Sequence, residues 1–122
     1  MHRDPRLYLD DILEAIHKIR DYTSGMDYTA FSKDTKTQDA VIRNLEIIGE
    51  AAGRLQEPVR VVSPDIEWRK IVGLRNILIH EYFGVSLPLV WDVIQSKLDP
   101  LESSCRVFLN QLPKVVFTRK IK

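Results

Sequence analysis

The chain has 122 residues, with 18 Lys and Arg against 17 Asp and Glu and a formal net charge of +1; that suits one domain spanning 1–122 and offers no overall basic field for nucleic acid. The single cysteine, Cys105, excludes an internal disulfide and fits a reducing compartment. No stretch approaches the apolar length of a membrane span and Met1-His2-Arg3-Asp4-Pro5 has no signal-like run, so a cytoplasmic protein with no membrane partner is expected.

In chain order the periodicity predicts helices. Asp4-Pro5 is a helix start, and Leu7, Ile12, Ala15, Ile16 and Ile19 follow at helical spacing to about Tyr22, where Thr23-Ser24-Gly25 ends the run. Met26 to Lys36 reads as a loop with one short helical turn. The second long helix is expected from about Thr37 to Gln56, with Val41, Leu45, Ile48, Ala52 and Leu55 inward and Asp39, Arg43, Glu46, Glu50 and Arg54 on the opposite side; Pro58 stops it. Asn44 falls in the apolar sector and is the odd residue there.

Ser63-Pro64-Asp65 is predicted to cap a third helix, closed by Phe83-Gly84. Ser86 with Pro88 starts the last helical region, in which Leu89, Val90, Val93, Ile94, Leu98, Leu101 and Leu109 recur and Asp99-Pro100 should kink or restart the helix. Only Lys114 to Thr118 alternates with period two, and it is short. The fold class expected is all-α: an antiparallel bundle of four main helices, plus a possible short one.

The third helix carries Gly73-Leu74-Arg75-Asn76-Ile77-Leu78-Ile79-His80-Glu81-Tyr82. Ile71, Leu74, Ile77 and Leu78 cover one side and Val72 and Ile79 widen it, so more than one partner surface is expected to cover this helix. Arg75 lies inside that apolar sector and needs a carboxylate or phosphate partner, since it cannot lose its proton. Asn76 and His80, at i and i+4, share the narrow polar strip, and Tyr82 lies in line with Arg75 two turns on. Arg75 and His80 stand about 140° apart around the helix. At that separation the two do not converge on one point unless Arg75 bends around or a second copy of the chain supplies the missing group.

Arg75-Asn76-Ile77-Leu78-Ile79-His80 resembles the Arg-x4-His motif of HEPN-domain ribonucleases, and Glu81-Tyr82 extends it to the Arg-x4-His-x-Tyr form of HepT-like toxins. Asn44-Leu45-Glu46-Ile47-Ile48-Gly49-Glu50-Ala51 and Trp68-Arg69-Lys70-Ile71-Val72-Gly73 are similar to further segments of the same toxins. The resemblance implies a metal-independent endoribonuclease toxin that forms a homodimer and needs no cofactor. It also implies a partner, a minimal nucleotidyltransferase antitoxin that adenylylates Tyr82. Arg75 and His80 would be catalytic, with Asn76, Asn44, Glu46 and Glu50 in support.

Plainer roles fit the same residues. His80 suits a helix C-terminus, where it would cap carbonyls without chemistry. Arg75 fits a structural ion pair with Glu46 or Glu50, Tyr82 a packing aromatic, and Arg43, Glu46, Glu50 and Arg54 a solvated ladder. Asn44 fits an interface polar group or one that orients Arg75. His2 and His17 have no partner pattern, no His/Cys/Asp set has metal-ligand spacing, and no Gly-rich phosphate loop occurs. The basic run Lys114, Arg119, Lys120, Lys122 suits a solvated end better than an RNA contact. Two functional alternatives to a ribonuclease remain: a non-catalytic helical module that docks the nucleotidyltransferase and its nucleotide, and a purely structural helical dimer.

Overall fold

In the computed structural model, which describes residues 4–55 and 86–111, Asp4 opens the first helix. Its carboxylate accepts a hydrogen bond from the Arg6 N–H at 2.9 Å, and Pro5 fills the first position, where a missing N–H costs nothing. This helix, α1 (Pro5–Thr23), ends as its sequence predicts: the Ser24 N–H donates back to the Asp21 carbonyl, and Gly25 takes φ +76°, a left-handed conformation that favours glycine. The expected loop turn is a six-residue helix, α2 (Tyr28–Lys33), capped by Asp27 through the Ala30 N–H at 2.8 Å.

The second long helix, α3 (Thr35–Arg54), starts two residues before the expected Thr37 and ends two before the expected Gln56. The cap is Asp34. Its carboxylate accepts from both the backbone N–H of Thr37 (3.0 Å) and its hydroxyl (2.8 Å), so Thr37 is the third helical residue and not the boundary. These bonds, the backbone one first, hold the Asp34 carboxyl below its ordinary pKa. At the other end Leu55 is extended and closes the helix.

Ser86 caps the next helix, α4 (Leu87–Ser96), through the Leu89 N–H at 3.3 Å. After a break at Lys97, α5 (Leu98–Gln111) begins, with Pro100 in its first turn. The last helical region thus restarts rather than kinks. All described regular structure is helical, in keeping with the expected class. The expected helix over 65–83, with Arg75, Asn76, His80 and Tyr82, lies outside the described residues, as do Pro58, the segment 114–118 and the basic tail.

The core forms where the apolar stripes meet. α1 packs most extensively on α3 and also on α5, while α2 lies on α3 and α4, and α4 contacts α5. Ile12, Ile16 and Ile19 from α1, Val41, Leu45, Ile48 and Ala52 from α3, and Val90, Leu98, Leu101 and Phe108 from the last two helices are all buried. Each large side chain contributes about 1.5–3 kcal/mol through removal from water. One inward assignment on α1 is corrected: Leu7 is exposed, and Leu9, fully buried, takes its place. Position 9 belongs to the Ile12/Ile16/Ile19 stripe at i+3 and i+4 spacing, and position 7 lies off it. Leu89 on α4 is likewise exposed, outside the Val90/Ile94 stripe. Phe31 brings α2 into the core and packs against Trp91 with ring centroids 5.1 Å apart.

Candidate functional site

α3 carries three of the predicted supporting residues, and it separates them. Asn44 is buried on the core side, and its Nδ2 donates to the Ala40 carbonyl at 2.9 Å, one turn back in the same helix. Glu46 and Glu50 lie on the opposite side, with Glu46 partly shielded and Glu50 exposed. Arg43 approaches Glu46 at 3.9 Å, and Arg54 approaches Glu50 at 3.5 Å. Asn44 and the two carboxylates therefore face opposite sides of α3. Burial gives Asn44 a back-bonded place in the helix, whereas the carboxylates stay near water, where their charge is solvated.

The outer side of α3 meets α1 in an open groove of about 270 Å³. Tyr8 and Asp11 line it from α1, and Arg43, Ile47, Glu50 and Arg54 from α3. Their placement follows from helical spacing: Arg43, Ile47, Glu50 and Arg54 recur at i+4, i+7 and i+11 along one stripe. The groove mixes two cations and two anions with Tyr8, Ile47 and Ala51. It therefore suits a ligand or surface of mixed charge better than a simple polyanion.

Tyr8 and Asp11 carry no motif and were not anticipated. Their i, i+3 spacing beside the Leu9/Ile12 stripe marks the edge of the buried face, the one signal that sequence offers for them. Arg6 was also missed. Its residue is 5% exposed, and its guanidinium meets Asp4 with Nη2 2.8 Å from Oδ2 and Nε 3.3 Å from each carboxylate oxygen. A buried guanidinium demands such a carboxylate partner. The helix-capping Asp4 thus does two tasks at once.

Away from the groove, Arg20 of α1 is hydrogen-bonded to Glu102 and Asp99 of α5, and Arg106 donates to Glu102 at 2.9 Å. The hydrogen bond from Arg20 is the chief cause holding the Glu102 carboxyl below its ordinary pKa. Cys105 is buried, and burial pushes its thiol up to about 12. It is therefore an unreactive core residue. Among the described residues no three His, Cys, Asp or Glu side chains are grouped so as to hold a metal ion, and no helix is long and apolar enough to cross a membrane.

Comparison with known proteins supplies what the groove alone does not. No solved structure matches the chain. A Methanocaldococcus jannaschii protein named "Putative RNase" is 44% identical over 96 residues, 79% of each chain. A Thermococcus cleftensis protein named "Probable ribonuclease HepT" is 40% identical over 102 residues, covering 84% of this chain and 93% of its own length. The family described as "Ribonuclease HepT-like" matches residues 12–108, a span that includes α3, α4, most of α5 and the Arg75-x4-His80-x-Tyr82 sequence. The chain belongs to the HepT-like ribonuclease family.

Proposed function

We propose that this chain is an endoribonuclease toxin that cleaves RNA without a metal ion through Arg75 and His80. The observation that carries the reading is that the family match over residues 12–108 contains Arg75, His80 and Tyr82 in one Arg-x4-His-x-Tyr sequence. RNA brings its own nucleophile, the 2′-hydroxyl. Cleavage then needs a base for that proton, an acid for the departing 5′-oxygen and a cation for the charge on the phosphorane. An imidazole that titrates near neutrality suits His80 to either proton transfer. The planar fork of Arg75 matches phosphate oxygens. Since one histidine cannot be acid and base at the same instant, a homodimer with two His80 copies completes the proton inventory.

The same reading makes 1–122 one HEPN-like domain in the cytoplasm, with Asn76, Glu46 and Glu50 supporting the site. Its partner is a minimal nucleotidyltransferase antitoxin that adenylylates Tyr82. A nucleotide there would add phosphodiester charge within reach of Arg75 and fill the space meant for RNA. Asn44, buried and back-bonded to the Ala40 carbonyl, supports the site from the core side of α3.

The test is cleavage of end-labelled RNA by the purified chain in EDTA, with analysis of the new 3′ ends. Fragments ending in a 2′,3′-cyclic phosphate are expected, and the His80→Ala protein should produce them far more slowly. Equal cleavage by the native and His80→Ala preparations would mean a contaminating nuclease, and the reading would fail. An inactive native chain that still binds the nucleotidyltransferase and its nucleotide would favour the non-catalytic docking module.

A further inference from the structure

We propose that the outer stripe of α3 is a self-complementary docking surface for a second copy of this chain, with the two α3 helices antiparallel. The inference rests on the dimeric reading above and specifies the surface and register. Asp39, Arg43, Glu50 and Arg54 fall within about 60° of one another around α3, so they form one line on its exposed side. The charges along this line run −, +, −, +, and they are antisymmetric about the point midway between Glu46 and Ile47. Asp39 and Arg54 stand equally far from that point, and so do Arg43 and Glu50.

A two-fold axis through that point sets Asp39 of each copy against Arg54 of the other, and Arg43 against Glu50. Four cross-copy ion pairs result, spread over about 22 Å of helix. The register is demanding. Moving the axis two residues toward the C-terminus, which slides one helix past the other by about one turn, would set Arg43 against Arg54 of the other copy, and like charges in contact are costly. A shallow interaxial angle is required too, because a steep crossing would carry the outer pairs apart.

The groove beside the stripe fits this occupant. Ile47, half-buried at the centre, supplies an apolar contact at the axis, and the mixed charges of the rim match a surface with the same mixture. The contacts that Arg43 and Arg54 make within their own helix do not compete strongly. They are long, at 3.9 and 3.5 Å, and the two arginine side chains are 72% and 61% exposed. Each guanidinium retains donors for a second carboxylate. Glu46, at the margin of the stripe, meets its own copy near the axis, and the Arg43 of each chain, 3.9 Å from its Glu46, offsets that like-charge approach.

The test uses two full-length variants, one with an acidic stripe (Arg43→Glu with Arg54→Glu) and one with a basic stripe (Asp39→Arg with Glu50→Arg). Sedimentation velocity reads assembly, and circular dichroism confirms that each is folded. The native chain should be a dimer. Each variant alone should dissociate, with Kd raised by about tenfold or more through like-charge contact. Mixed together, the two should form a one-to-one heterodimer of native affinity. Native dimers that persist in both variants would overturn this assignment and leave the cleavage reading standing. So would folded variants that dissociate but fail to pair when mixed. A monomeric native chain whose acidic variant loses RNA affinity would give the groove to RNA and overturn the inference as well.

Discussion

Arg20 and Glu102, 82 residues apart in sequence, join α1 to α5 with Nη1 2.6 Å from Oε1. Asp99 and Arg106 extend the contact into a four-residue network across the two helices. The pair is partly shielded, with side-chain exposures of 36% and 26%. Arg20→Ala should therefore destabilise the fold by about 0.5–1 kcal/mol, the upper range for a networked surface pair. A double-mutant cycle with Glu102→Gln, measured by denaturant unfolding, should return most of that as coupling. Additive single effects would show that the contact contributes nothing to stability.

The same carboxyl sets a pH dependence. Glu102 has a folded pKa below its unfolded value, chiefly through the hydrogen bond from Arg20. Its stabilisation is thus fully present above the unfolded carboxylate pKa, near 4.3, and is lost as pH falls through the lower folded value. Asp34 acts in the same direction through its bonds to Thr37. Stability measured from neutral pH downward should fall in this acid range, and Arg20→Ala should make the fall shallower. An unchanged acid limb in that variant would contradict the assignment.

Cys105 supplies a probe of global opening. Buried with its thiol pushed up to about 12, it should react with a disulfide reagent only when α5 leaves the core. Labelling should be slow in the native protein and rapid in denaturant. A native rate near that of a free thiol would mean that α5 opens locally. Because the folded pKa lies above the unfolded one, near 8.5, this group's contribution is intact below that pH and lost as pH rises toward 12.

Much of this fold is legible from spacing alone. The Ile12/Ile16/Ile19 and Val41/Leu45/Ile48/Ala52 stripes predict which sides of α1 and α3 are buried, because a 3.6-residue period leaves few alternatives. The spacing places the start of α3 two residues late because several residues of Asp34-Thr35-Lys36-Thr37 are able caps, and only the geometry shows that Asp34 holds Thr37. Arg6 and the groove were not legible. A buried arginine depends on which carboxylate meets it, and a groove depends on how two helices pack; neither is written in the periodicity of one helix. For Arg75, Asn76, His80 and Tyr82 the motif in the sequence remains the whole basis, since they lie outside the described residues.

Tyr82 provides the switch in this account. Tyr82→Phe removes only the acceptor oxygen, so the variant should cleave RNA and escape silencing by the nucleotidyltransferase with ATP. Intact mass should show AMP added to the native chain and none added to the variant. A variant that still gains AMP and is still silenced would place the acceptor elsewhere.

The most direct test of the central claim is the single-turnover cleavage rate of one RNA by native, His80→Ala and Arg75→Ala proteins, each purified identically and assayed in EDTA. The proton-transfer role predicts a loss of about two to four orders of magnitude for His80→Ala. Charge stabilisation at the phosphorane predicts a loss of about two to three orders for Arg75→Ala. Native rates in both folded variants would contradict the assignment of Arg75 and His80 as the catalytic pair.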